Sequence, residues 1–169
     1  MSDGLYWHPE TKLVDERRAE FRPHLFPGNR VLSAVRQNRK RFTAPLVVSC
    51  FPSHHLIERG ANYFPLLLDR RTAKQDSKLA SQAFETLELG EKIDKAEPVA
   101  NLTPFARKYL ARLGCEPADI FHHIIAVLHA PAYREENAGA LRQDWPRIPL
   151  PESADVLRAD AALGRELAA

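Results

Sequence analysis

The hydrophobic pattern divides the chain into two halves of different character. The first half contains three short segments with the features of β-strands, namely RVLSAVRQ, APLVVSCF and NYFPLLL. The first segment alternates polar and apolar positions, and the other two are apolar runs bounded by turn residues. This half is therefore predicted to form three or four strands of a small antiparallel or mixed sheet.

The second half has the period of amphipathic helices. A first helix is predicted in NLTPFARKYLARLG, with Thr103 as the N-cap, Pro104 at the first helical position and Gly114 as the terminator. Its buried face is predicted to consist of Phe105, Tyr109, Leu110 and Leu113.

A second helix is predicted to begin near Asp119 and to end before Pro131, and its apolar period indicates a central place in the core. Its apolar face consists of Ile120, Ile124, Val127 and Leu128. Beyond it, we predict a third helix in AYREENAGALRQDW, an extended exit in PRIPLP and a last amphipathic helix in ESADVLRADAALGRELAA.

These elements predict an α+β fold in which a small basic sheet packs on a helical C-terminal half. We expect a single domain made of a basic strand-rich lobe (1–75), a variable insert (76–98) and a helical lobe (99–169). The insert is predicted because the chain turns polar between Thr72 and Pro98.

The two halves also differ in charge. Residues 1–75 hold 13 Lys and Arg against 7 Asp and Glu, whereas residues 76–169 hold 11 against 15. The net charge of +2 therefore conceals a basic half that suits a polyanion and an acidic half that does not.

No stretch has the length of a membrane span, and the N-terminal MSDGLYWHPE lacks the basic-then-apolar layout of a secretory signal. We therefore expect a cytoplasmic protein with no membrane partner. Cys50 and Cys115 are isolated in sequence, so we interpret both as small buried apolar residues rather than as a disulfide or zinc ligands.

Three histidines, His122, His123 and His129, invite a metal site, but the spacing disfavours it. Neighbouring helical positions diverge by about 100°, and positions seven apart are separated by about 10 Å along the axis. Such side chains do not share one zinc ion, and the i, i+4 pairing of HExxH is absent. We expect no metal ligand here and interpret the three as packed or surface histidines.

Catalytic motifs are also absent from the sequence. No GxGxxG, Walker or GxSxG pattern occurs, and the seven glycines are isolated. Glu10 and Lys12 supply the second half of a nuclease-like Glu-x-Lys pattern, but no strand with an acidic residue precedes them. We therefore expect no catalytic residue in this chain.

The strongest chemical signal is a cluster of basic and amide side chains around RVLSAVRQNRKRFT. Lys and Arg neutralise phosphates, and Arg, Gln and Asn also pair with the edges of guanine or adenine. The alternative is a solvated turn whose charges only keep the protein soluble. The cluster comprises Arg30, Arg36, Gln37, Asn38, Arg39, Lys40 and Arg41, and it is extended by His54, His55, Arg59, Asn62, Arg70 and Arg71.

A resemblance to a known family is carried by DIFHHIIAVLHAPAYREENAGALRQDWPRIPLP. This segment resembles the C-terminal specificity (target recognition) domain of Type ISP restriction-modification enzymes and related adenine-specific DNA methylases. The matching positions are Asp119, Ile120, Phe121, residues 127–134 and residues 146–149. The resemblance covers about residues 22–71 and 101–151, with a departure at Leu67 and Asp69, where the family often has an aromatic pair.

The resemblance implies a fragment of a DNA (adenine-N6) methyltransferase or restriction-modification enzyme that recognises double-stranded DNA and is not catalytic by itself. In that family the S-adenosylmethionine pocket lies in a preceding methyltransferase domain, whose motifs do not occur in these 169 residues. We therefore expect no cofactor in this chain and expect the methyltransferase domain of a parent polypeptide as its partner. Tyr133 and Arg134 either contact the DNA backbone or, as we favour, make structural hydrogen bonds.

Two other functions are compatible with the sequence. The helical half could dock a methylase on motor or nuclease partners as a protein-interaction module, or the chain could be a stand-alone nuclease. Steep salt dependence of DNA binding distinguishes a DNA reader from a docking module. Cleavage of duplex in the presence of divalent metal would identify the nuclease.

Overall fold

The computed structural model describes residues 21–38, 42–49, 56–57, 60–69 and 97–169. Within these ranges the strands are β1 (Val31–Val35), β2 (Leu46–Val48), β3 (Ala61–Pro65), β4 (Leu67–Leu68) and β5 (Val99–Ala100). The helices are a 3-10 turn at Arg22–His24, then α1 (Pro104–Leu113), α2 (Pro117–His129), α3 (Pro131–Glu136), α4 (Ala138–Leu141) and α5 (Ala154–Leu167). The architecture is α+β, as predicted, with antiparallel strands before the helices.

A three-stranded antiparallel sheet forms around β1, in the order β2-β1-β3. The central strand is almost completely buried, because both of its neighbours pair with it and both of its faces are covered. A turn precedes β1, in which Gly28 has a φ of 87° and the Asn29 N–H donates to the Phe26 carbonyl.

A second, two-stranded sheet pairs β4 with β5 in antiparallel register. These strands flank the sequence-predicted insert, most of which lies outside the described residues. Asn101, which follows β5, donates from its backbone to Leu66 and from its side chain to Pro65. The residues that lead into the first long helix therefore lie directly beside the end of β3.

The first two long helices begin and end at the residues whose chemistry favours those positions. The Thr103 hydroxyl accepts from the Ala106 N–H, and Gly114 adopts the left-handed conformation at φ 63°, so the predicted bounds of α1 are confirmed. Helix α2 starts slightly earlier than predicted, at Pro117, where Glu116 and Asp119 form a capping box. The predicted third helix is interrupted at Asn137 and forms two short helices, α3 and α4.

Helix α2 lies at the centre of the described core and packs on two sides. On one side, Ile120 joins Tyr109, Leu110 and Leu157 of the neighbouring helices. On the other side a second cluster connects α2 to the sheet, and it consists of Leu32, Phe121 and Ile125. Because α2 is buried on both sides, Ile125 and His123 are each only 1% exposed.

The buried faces differ from the predicted ones at several positions. Phe105 is 71% exposed, so its predicted place in the core is wrong. Leu102 and Ala106 pack against the core cluster instead. Ile124 and Val127 are only half-buried, whereas Ile120 and Leu128 are buried as predicted. Cys115 is half-buried against the same cluster, and Cys50 lies outside the described residues.

The extended exit predicted in PRIPLP is held by side chains from three helices. The Tyr133 hydroxyl donates to the Arg147 carbonyl at 2.8 Å, His123 Nε2 lies 2.8 Å from the Pro149 carbonyl, and the Tyr109 hydroxyl donates to the Pro151 carbonyl at 2.7 Å. The accepting carbonyls occur at every second residue, which is the period of an extended chain. This segment is rich in proline and so has few N–H donors, and its carbonyls provide the attachment.

None of the helices in the described ranges has the length and apolar content of a membrane span.

Candidate nucleic-acid interface

The part of the basic cluster that the structure describes lies at a seam between the sheet and the helical lobe. We define the seam as residues 36–38, which follow β1, together with residues 141–145, which end α4 and continue beyond it. Its anchor is Asn38, which is 4% exposed although it is polar. The Asn38 amide donates to the Leu141 carbonyl at 3.1 Å and accepts from the Thr43 N–H at 3.2 Å.

Both contacts of Asn38 have structural consequences. The bond to Leu141 joins the sheet to the helical lobe across 103 positions of sequence. The bond from Thr43 closes the base of the connection between β1 and β2. Because a buried amide without partners is costly, these bonds give Asn38 a structural role, and its predicted contact with DNA stays a prediction.

Arg36 and Gln37 continue the seam on its exposed side. Gln37 Nε2 donates to the Gln143 carbonyl at 3.2 Å, and Arg36 Nε donates to Asp144 Oδ1 at 2.8 Å. The side chains of Arg36 and Asp144 are 61% and 63% exposed, so this ion pair is in solvent. The Arg36 guanidinium and then the Trp145 backbone N–H hold the pKa of Asp144 below its ordinary value.

An aromatic pair completes the seam. The rings of Phe64, from β3, and Trp145 meet edge to face with centroids 5.5 Å apart, and both remain more than a third exposed. Such pairs contribute about 0.5–1.5 kcal/mol beyond the area that they bury. Residues 141–145 are therefore attached at four points to the strand-rich lobe, three of them on residues 36–38 and one on β3.

The remaining described members of the predicted cluster lie elsewhere on the sheet. Arg30 is exposed at the opposite end of β1 from Arg36. Asn62 is exposed on β3 beside Ala34, and its side chain donates to the Gly60 carbonyl at 2.9 Å. The other predicted residues lie outside the described ranges: Arg39, Lys40, Arg41, His54, His55, Arg59, Arg70 and Arg71.

The three histidines of α2 share no hydrogen-bond partner. His122 Nδ1 lies 2.7 Å from the Ala118 carbonyl one turn earlier, and His129 Nε2 lies 2.9 Å from the Pro45 carbonyl beside β2. His123 lies between Asp160 and the Pro149 carbonyl. In the described segments no three His, Cys, Asp or Glu side chains converge as metal ligands.

Tyr133 makes the structural hydrogen bond that we favoured, to the Arg147 carbonyl. Burial raises the pKa of its hydroxyl, which keeps the hydroxyl a donor. No motif or charge pattern in the sequence indicated Gln143, Asp144 or Trp145 as functional residues, since they belong to the acidic half. Asp144 is one of the 15 acidic residues of that half, and its charge alone does not distinguish it as the partner of Arg36.

This chain is similar to a known protein family and to a solved structure. The family model described as the Type ISP C-terminal specificity domain matches residues 3–169. Among solved structures, the "cryoEM structure DrdV-DNA complex" is similar, with 28% sequence identity and a TM-score of 0.59. The match covers 88% of this chain and 13% of the other, so this chain spans a small part of that solved protein. No curated protein matches this chain.

The family model covers nearly the entire sequence, including both lobes that meet at the seam. The resemblance seen in residues 119–149 is thus confirmed by a match that extends far beyond those residues. The chain belongs to the Type ISP C-terminal specificity domain family.

Proposed function

We propose that this domain recognises a specific sequence in duplex DNA as the target recognition domain of a restriction-modification enzyme. The observation that carries the proposal is the match of the specificity-domain family to residues 3–169. The similar solved structure is a complex with DNA, which supports the same type of ligand.

The charge distribution supports the proposal on physical grounds. The basic half holds 13 Lys and Arg residues. Within the seam, the side chains of Arg36 and Gln37 are exposed to solvent. Positive charge supplies the affinity for phosphates, and ordered Arg and Gln side chains supply contacts to base edges.

The finer part of the proposal concerns the chemistry that the recognition serves. The resemblance to adenine-specific methylases favours N6-adenine methylation by a methyltransferase domain of a parent polypeptide. That domain would hold S-adenosylmethionine, and this domain would choose the site at which it acts. The small share of the similar solved chain that is matched, 13%, is compatible with such a larger polypeptide.

The test is a selection of bound duplexes from a random-sequence pool by the full 169-residue chain. We expect enrichment of one short sequence motif. We also expect the affinity for that motif to fall with salt by a log-log slope of about −0.9 for each phosphate contact.

Three results would count against the proposed function. Enrichment of no motif would contradict sequence recognition. Binding that is weak and insensitive to salt would favour the docking of a protein partner through the helical lobe. Cleavage of the duplex with added divalent metal would instead show that the chain is a nuclease.

A further inference from the structure

We propose that Arg36 reads a guanine edge of the target duplex and that Asp144, which belongs to the helical lobe, is the residue that positions it. This inference rests on the proposed DNA recognition and names one specificity contact within it.

The hydrogen bonding of Arg36 leaves its base-reading atoms available. A guanidinium has five N–H donors, and the bond to Asp144 uses only the one on Nε. The four donors on the two terminal nitrogens have no partner among the described residues. Guanine presents O6 and N7 as paired acceptors in the major groove, and a bidentate arginine is their commonest partner.

The carboxylate of Asp144 is held in place by its neighbours in the seam. Gln143 is bonded through its carbonyl to Gln37, and the Trp145 ring packs against Phe64. The Nε bond at 2.8 Å therefore fixes the direction of the guanidinium before DNA arrives. Fixing it in advance reduces the loss of side-chain freedom on binding, which is the advantage of preorganisation.

A phosphate contact would not benefit from this arrangement. Attraction to phosphate depends on net positive charge, and the carboxylate beside Arg36 cancels that charge. Base reading depends on the geometry of two donors, which the same carboxylate improves. The pairing is therefore unfavourable for general DNA affinity and favourable for discrimination between bases.

A purely structural role for the pair is a weaker explanation. Solvent-exposed ion pairs contribute little to stability, and both side chains are more than 60% exposed. The sheet and the helical lobe are already joined nearby by the buried amide of Asn38.

The experiment starts from the motif selected by the full 169-residue chain. Affinities are measured at one salt concentration for that duplex, for each single base-pair change and for a random-sequence duplex. The proteins compared are the wild type, Arg36→Ala, Asp144→Ala, Asp144→Asn and Arg142→Ala. The Arg142→Ala variant is the control for Arg36→Ala. Arg142 is an exposed basic residue two positions from Asp144, and its replacement removes one positive charge, as the replacement of Arg36 does.

We expect Arg36→Ala to abolish the preference for a G·C pair at one position, a loss of discrimination of about 10- to 100-fold, while preferences elsewhere are retained. Replacing that guanine with 7-deazaguanine should weaken the wild type and leave Arg36→Ala unaffected. Arg142→Ala should weaken all duplexes to the same degree.

The two Asp144 variants separate orientation from charge. Both should bind the random duplex more tightly, because a negative charge is removed. Asp144→Ala should lose discrimination at the position that Arg36 reads, whereas Asp144→Asn keeps an acceptor oxygen and should retain more of it.

The outcomes distinguish this inference from the proposed function. If the wild type selects a motif but Arg36→Ala weakens all duplexes equally, as Arg142→Ala does, the guanine contact is refuted and DNA recognition stands. If Asp144→Ala keeps full discrimination, the positioning role is refuted. If the wild type selects no motif, both the proposed function and this inference fail.

Discussion

Replacing Gly164 with alanine tests the packing of the last helix on the central one. In the structure, a Cβ atom added at Gly164 would lie 2.6 Å from the carbonyl carbon of His122 and closer still to its oxygen. Non-bonded carbon atoms prefer separations of about 3.5–4.0 Å. The obstacle is backbone, so no rotation of a side chain relieves the clash, and α5 would have to move away from α2 by about 1 Å.

That displacement would disturb the part of the interface where α5 is most buried. Leu157 and Ala161, on the same face as Gly164, are both 0% exposed. Overpacking of a core costs about 1–3 kcal/mol, and a clash with backbone belongs at the upper end of that range. Alanine recovers only about 1 kcal/mol through its higher helix propensity, so we expect a net destabilisation of about 2 kcal/mol.

Urea unfolding followed by circular dichroism measures this change. Gly139→Ala is the matched control, because Gly139 is exposed in α4 and an added Cβ would meet nothing within 4 Å. We expect that control to be unchanged or more stable by up to about 1 kcal/mol. If Gly164→Ala were as stable as Gly139→Ala, the close approach of the two helices would not require glycine, and the reasoning would be refuted.

Three further changes are predicted to alter stability. Ser33→Ala should leave stability unchanged or raise it by about 1 kcal/mol in chemical denaturation, because the buried Ser33 hydroxyl has no hydrogen-bond partner among the described residues; a clear loss would contradict this. Tyr133→Phe should cost about 0.5–1 kcal/mol through loss of the bond to Arg147, with an unchanged unfolding midpoint as the contrary result. Burial lowers the pKa of His24, whose neutral Nδ1 accepts a hydrogen bond from the Asp69 N–H. As the pH drops below 6.5, the His24 side chain is therefore protonated more readily in the unfolded chain than in the folded one, and the stability of the fold should decrease. His24→Asn keeps an acceptor without titrating, and urea midpoints on either side of that pH should show a smaller change than in the wild type.

The elements that could be predicted from the sequence are those that local chemistry determines. Thr103, Pro104 and Gly114 set the bounds of α1 because a cap, a fixed φ angle and a left-handed residue act within one turn. The strands could be recognised in the same way, from their alternation and from the turns between them. In the described residues the main elements of both lobes were therefore predicted correctly.

The buried faces of α2 were less predictable, because its apolar period indicates burial on one side only. A hydrophobic stripe identifies the face toward one neighbour, whereas α2 packs on helices with Ile120 and on the sheet with Phe121 and Ile125. His123 is buried with them because Asp160 and the Pro149 carbonyl satisfy its two nitrogens. Asp160 lies 37 positions and Pro149 lies 26 positions from His123 in the sequence, so no local pattern indicates these contacts.

The seam was unpredictable for the same reason, and it changes the interpretation of the helical lobe. The sequence presents residues 36–38 as one basic and polar run, but the structure divides their roles by burial. Asn38 is enclosed and joins the lobes, whereas Arg36 remains in solvent with its terminal nitrogens available.

This division makes the helical lobe more than a support for the sheet. A base-reading side chain must be placed to within a fraction of an ångström, since hydrogen bonds weaken steeply with distance and angle. The acceptor that orients Arg36 comes from residue 144, so the placement of the helical lobe against the sheet determines how the base is read. Substitutions of Asp144 or Trp145 are therefore expected to change which sequence is preferred, even though both residues lie outside the basic half of the chain.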